Sequence, residues 1–261
     1  MNKKIQQKGS PAQKMRLRNV LIIGTISLAT VIAIVRLVFI NLWNSTVTQG
    51  AVLNNGEIIS MFTWEQGEPT HAALGPDAIR ISKGAYIAFG GRSSTGGLAP
   101  GIPAKDINME IAPAPLFDME GIDVSIDFRC NEPSGSFFTR GKTFDFGFDK
   151  NYVTISYKVQ TSTGAYETVS ETTGYEILTD NIFRNYRFIY TPTKGKAEIF
   201  VNNVIVWRHE GEKNTALWWN AKENIIIGKG IDGGGIDTPV FDNLVIRSTG
   251  TVSPLVESRS E

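Results

Sequence analysis

The 261-residue chain has one cysteine, Cys130, and two histidines, His71 and His209. A lone cysteine cannot form an internal disulfide, so the fold does not rest on oxidation. Cys130 ends an alternating segment and reads as a small buried hydrophobe. No Gly-x-Ser-x-Gly, His-Glu-x-x-His or phosphate-binding loop occurs, so the usual constellations for nucleophilic, zinc and phosphoryl chemistry are missing. An excess of charge is missing too: 26 Lys and Arg stand against 26 Asp and Glu. That balance gives no reason to expect a nucleic-acid partner. There is no internal repeat, and helical periodicity is nearly absent beyond residue 56.

What the chain does have is one long apolar run, Val20 to Trp43. As a helix it would cover about 36 Å, enough to cross a bilayer core of about 30 Å with some tilt. Lys3, Lys4, Lys8, Lys14, Arg16 and Arg18 precede it and no acid does. Basic residues stay on the cytoplasmic side, so the spacing predicts residues 1–19 inside and everything after Trp43 in the periplasm or outside the cell. A cleaved signal peptide is the competing reading, but its apolar core usually spans about 7–15 residues. Arg36 interrupts the run: it either snorkels to the outer interface or meets a carboxylate of a membrane partner. Thr25, Ala29 and Ala33 share one helix face, the spacing of small residues at which membrane helices approach closely.

Residues 44–56 read as a short polar linker, 57–248 as one domain and 249–261 as a polar tail. The domain pattern is β. From Ile122 to Cys130, apolar residues alternate with Asp123, Ser125, Asp127 and Arg129. Phe144, Phe146 and Phe148 alternate with Asp145, Gly147 and Asp149. Segments 152–159, 186–190, 225–227 and 241–247 are further strands. Residues 197–206 form a hairpin about Asn202-Asn203. Residues 216–222 suggest one helical turn. Many short strands with Gly and Asn turns predict an all-β, two-sheet antiparallel sandwich.

Four segments, in order, carry a resemblance. They are Phe62-Thr-Trp-Glu65; Val124 to Phe128 with Ser134 to Gly141; Tyr186 to Tyr190 with Ala197 to Val206; and Ile226 to Gly228 with Phe241 to Ile246. Together they resemble the concanavalin A-like, laminin G-like jelly-roll family. The resemblance implies two antiparallel sheets, often with carbohydrate or protein bound at the concave face or loop rim. It implies no single activity.

Some relatives hydrolyse β-glucans through Glu-x-Asp-x-x-Glu, which is absent here. Asp123 and Asp127, like Asp145 and Asp149, share a strand face about 13 Å apart, too far for a glycosidase couple. Trp218, Trp219 and Asn220 are candidates for ligand binding, since adjacent tryptophans with an amide can stack on sugar rings or anchor a protein. One of the tryptophans is expected in the core, as are Trp64 and Trp207. Asp232, Asp237 and Asp242 lie on or beside a glycine-rich loop, where oxygen ligands would suit Ca²⁺; a glycine turn with capping aspartates is the alternative. The expected function is a non-catalytic, membrane-anchored recognition or structural subunit with membrane or envelope protein partners. A carbohydrate-binding surface protein is the second reading and a divergent glycoside hydrolase the third.

Overall fold

The computed structural model describes residues 56–65, 67–92, 96–100, 107–130, 133–231 and 239–250. All of them fall in one compact unit, Val52–Glu261. The apolar run, with Thr25, Ala29, Ala33 and Arg36, lies outside the described residues, as do Asp232 and Asp237. Among the described residues no helix is long and apolar enough to cross a membrane.

Among the described residues, sixteen strands carry the fold. In chain order they are β1 (Ile58–Phe62), β2 (Ala78–Arg80), β3 (Tyr86–Phe89), β4 (Gly96–Ala99), β5 (Met109–Ile111), β6 (Ile122–Arg129), β7 (Gly135–Arg140), β8 (Phe144–Asp149), β9 (Tyr152–Gln160) and β10 (Tyr166–Glu176). They continue as β11 (Arg184–Thr191), β12 (Lys196–Val201), β13 (Val204–Glu210), β14 (Ala216–Leu217), β15 (Ile225–Lys229) and β16 (Val240–Ser248). One sheet runs β13-β12-β11-β6-β16-β4-β3, with β1 also on β16; the other runs β10-β9-β8-β7-β15-β5-β2, with β14 on β9. The described pairings between strands are antiparallel, as the jelly-roll expectation requires.

The alternating patterns place themselves as expected. Ile122, Val124, Ile126 and Phe128 face the interior from β6, as do Phe144, Phe146 and Phe148 from β8. Cys130 is buried just beyond β6. Aromatic rings fill the space between the sheets. Phe137 lies 4.8 Å from Tyr186 and about equally close to Phe146 and Phe148, at 5.2 Å each. The turn at Asn202-Asn203 has positive φ at both residues (48° and 66°), the geometry a two-residue hairpin requires and asparagine tolerates.

Two expectations fail. Residues 216–222 are not helical: Ala216 and Leu217 pair with Gln160 and Val159 as a short strand. Leu217 and Trp219 are both buried, a two-residue period that suits a strand and not a helix. Trp207 is half-buried on β13 at the sheet edge and stacks on His209 instead of joining the core. Trp64 is 2 % exposed, as expected of a core residue.

One irregularity on β7 positions the site. Between Ser136 and Phe138 the register with β8 shifts by a bulge: Ser136 faces Gly147, Phe138 faces Phe146, Thr139 faces Asp145 and Arg140 faces Phe144. Phe137 and Phe138 therefore both point inward, while Ser136 and Thr139 both point outward.

Candidate functional site

The outer face of the second sheet gathers the polar residues left over once the apolar partners turn inward. On β9, Val153, Ile155, Tyr157 and Val159 are buried, so Thr154, Ser156, Lys158 and Gln160 face out. Cross-strand register sets Ser170 beside Ser156 and Thr172 beside Thr154 on one side. On the other side Asp145 stands beside Ser156 and Gly147 beside Thr154. Gly147 has no side chain to fill its place in the row. A shallow groove of about 280 Å³ results, lined by Asp145, Thr154, Ser156, Ser170, Glu171 and Thr172. That is the small end of the range for ligand sites.

Asp145 is the carboxylate on the outward row of this groove; the other lining carboxylate, Glu171, stands opposite inward-facing Ile155. Burial pushes the Asp145 carboxyl above the usual carboxylate range, opposed by the Ser136 hydroxyl and the Lys229 ammonium. Ser136 Oγ donates to Asp145 Oδ2 at 3.1 Å. Thr139 Oγ1 also stands beside the carboxylate, but it donates to the Phe144 carbonyl at 2.9 Å, and a hydroxyl has one proton to give.

Trp218 lies beside Lys158 of β9, outside the residues that line the groove. Its backbone N–H donates to the carbonyl of Lys158, two residues along β9 from Ser156, at 2.8 Å. The Lys158 ammonium sits 4.4 Å from the Trp218 ring centroid and 4.7 Å from that of Tyr166, and the two rings meet edge to face at 5.6 Å. Lysine thus covers part of the aromatic surface.

The three sequence candidates separate. Trp218 is on the outer face. Trp219 is 7 % exposed, donates from Nε1 to the Met119 carbonyl at 2.6 Å and packs on Phe144. Asn220 closes a turn, its Oδ1 accepting from Lys222 N at 3.2 Å. Asp242 lies on the other sheet, fully buried, where its carboxylate accepts from Arg92 N at 2.9 Å and from Asn243 N at 2.8 Å. Burial, with the Asp127 and Glu65 carboxylates nearby, pushes its carboxyl up to about 6. Among the described residues no group of three His, Cys, Asp or Glu is arranged to hold a metal ion. The groove itself escaped sequence reading. The alternation placed Asp145 on an outward face, but only the long-range register brings Ser136, Ser156 and Ser170 around it.

The aspartates on β6 are not solvated. Arg187 grips Asp123 through two hydrogen bonds of 2.7 and 2.6 Å, and Asp127 accepts from Arg92, from Asn185 at 2.8 Å and from Asn243 at 3.0 Å.

Neither a protein-family model nor a curated protein matches the chain. Solved structures do. Domain 4 of AbnA, a GH43 extracellular arabinanase from Geobacillus stearothermophilus solved in complex with arabinotriose, is similar over 80 % of this chain and 100 % of that one, with a TM-score of 0.54 and 13 % identity. The receptor binding domain of the botulinum neurotoxin C/D mosaic serotype covers 74 % of this chain at a TM-score of 0.51 and 10 % identity. The binding domain of botulinum neurotoxin serotype D covers the same share at 0.50 and 10 % identity. This chain spans about half the length of those neurotoxin domains, 48 % of each. These likenesses establish the β-sandwich fold.

Proposed function

We propose that this chain is a non-catalytic carbohydrate-binding β-sandwich, displayed at a membrane surface by the apolar helix expected over residues 20–43. The observation that carries the reading is the hydroxyl-lined groove around Asp145. Serine and threonine hydroxyls and a carboxylate on a rigid strand lattice offer the donors and acceptors a sugar needs, at little ordering cost. The similarity to an arabinanase domain solved with arabinotriose supports it.

The groove does not suit glycoside hydrolysis. The residues facing Asp145 across adjacent strands are Thr139 and Ser156. The diagonal positions on β9 are Thr154 and Lys158, and the groove's other carboxylate, Glu171, stands opposite inward-facing Ile155 on β10, two strands from Asp145 and off its outward row. His71 lies elsewhere, 3.1 Å from Asp77, and His209 is on the other sheet.

Protein–protein assembly has one observation in its favour. Tyr152, Leu178, Ile182, Val204 and Ile205 are 41–64 % exposed and lie on or beside the β8–β9, β10–β11 and β12–β13 connections.

The test uses the full-length protein in mild detergent, with affinity electrophoresis and calorimetry against soluble polysaccharides. Binding to at least one, abolished by Ser156→Ala combined with Asp145→Ala, is the expected result. Failure to bind any polysaccharide, together with stoichiometric protein partners in the purified material, would replace this reading with the assembly one. Carbonate extraction and protease protection of membranes check the anchor and its expected direction.

A further inference from the structure

Asp145 has capacity that the protein does not use. An ionised carboxylate offers about four acceptor sites. Ser136 takes one of them on Oδ2, and the single proton of Thr139 is committed to the Phe144 carbonyl. The remaining sites border the groove, whose other walls are neutral hydroxyls on β9 and β10 and the Glu171 carboxylate, a second negative charge. Two oxygens of one carboxylate lie about as far apart as two neighbouring hydroxyls on a sugar ring, so such a pair can donate to both at once. Hydrogen bonds to an ionised acceptor are roughly twice as strong as neutral ones.

The same carboxylate sets a charge preference. A uronate or other acidic sugar entering this groove would bring a second negative charge against a partly desolvated one. Lys229 attracts Asp145 and offsets part of its charge. Lys158, the other nearby cation, has its ammonium against the Trp218 and Tyr166 rings. The hydroxyl array offers an acidic sugar no bidentate cation of the kind that recognises carboxylates.

Resting on the carbohydrate reading above, we propose that the groove selects neutral glycans, holding a vicinal diol on Asp145 and rejecting acidic sugars by charge. The full-length protein in detergent is titrated with a neutral arabinan, xylan and β-glucan, and with polygalacturonate and alginate, for wild type, Asp145→Asn and Lys158→Gln. Wild type binds at least one neutral polymer at least tenfold more tightly than either polyuronate. Asp145→Asn keeps the shape of the groove. It weakens the neutral polymer about tenfold or more and narrows the gap to the polyuronates. Lys158→Gln leaves the preference in place.

Equal or tighter binding of a polyuronate by wild type overturns the charge preference while leaving carbohydrate binding intact. An Asp145→Asn protein with unchanged affinity and selectivity removes Asp145 from the site. If wild type binds none of the five polymers, the carbohydrate reading falls and this inference falls with it. Thermal unfolding of each variant separates lost binding from lost fold.

Discussion

Replacing Arg140 with methionine should be among the most damaging single changes to this domain. Arg140 is 0 % exposed, a full charge between two sheets of aromatic rings. Its Nη1 lies 2.8 Å from Asp118 Oδ1 and donates to the Phe117 carbonyl at 2.9 Å, while Nε donates to the Glu223 carbonyl at 3.2 Å. Its guanidinium carbon stands 5.4 Å from the centre of the Trp219 ring. Methionine fills much of the same space but leaves Asp118, 7 % exposed, without its cation. Breaking a buried pair from one side costs about 3–5 kcal/mol. For a domain of this size that is a fall of about 6–20 °C in Tm, at about 2–4 °C per kcal/mol. Burial already pushes the Asp118 carboxyl up against the pull of Arg140, and in the variant it rises further. A folded-state pKa above the unfolded value gives stability that is full below the unfolded pKa and lost as pH rises through the folded one. The penalty of Arg140→Met should therefore be small near pH 4 and grow toward pH 7, and Arg140→Met with Asp118→Asn should recover part of it. Urea unfolding followed by tryptophan fluorescence at several pH values measures all three. A cost under 1 kcal/mol at pH 7, or no dependence on pH, would refute the reasoning.

Three further expectations follow from the described geometry. The Asp242 carboxyl, raised to about 6 from 3.8 chiefly by burial, favours folding at low pH and loses that contribution as pH rises through about 6; Asp242→Asn should flatten stability between pH 4 and 7 by about 2–3 kcal/mol, as measured by urea unfolding. Gly228→Ala should cost about 2–4 kcal/mol by thermal unfolding, because φ is +73° and the new Cβ would lie 2.7 Å from Ile107 Cβ and from Phe241 Cε2. Phe137→Ala should cost about 3–5 kcal/mol by the same assay and loosen near-UV circular dichroism, since five core rings surround it.

How legible this molecule was depended on the range of the interaction. The Ile122–Cys130 and Phe144–Asp149 segments declared their strands because each alternation is local and one face is apolar. The Asn202-Asn203 turn declared itself because its backbone geometry favours few residues. Residues 216–222 misled because two adjacent tryptophans do not show from sequence which one turns inward; that is decided by pairing with β9, more than fifty residues away. The groove was hidden for the same reason. Asp145 could be placed on an outward face, but its hydroxyl neighbours come from β7, β9 and β10, and their register is a tertiary fact. The aspartates of β6 looked alike in sequence, yet Arg187 and Arg92 close over them on a different sheet.

The bulge at Ser136–Phe138 works as a parity change. On an unbroken strand, Ser136 and Phe138 would share one face and Thr139 would share the other with Phe137. With one residue slipped, β7 gives hydroxyls to the outside at Ser136 and Thr139 and a block of three large side chains to the inside, if Arg140 is counted with Phe137 and Phe138. The buried cation and the face that presents Asp145 are thus two readouts of a single frame. Removing Phe137 would make Ser136 and Phe138 consecutive, like Gly147 and Phe146 opposite them on β8, but would put them out of step with Lys229 and Ile227 on β15, which stand two apart. Length at position 137 is therefore held by β15: a smaller ring or an aliphatic could still occupy the interior, but a shorter β7 could not match β8 and β15 at once.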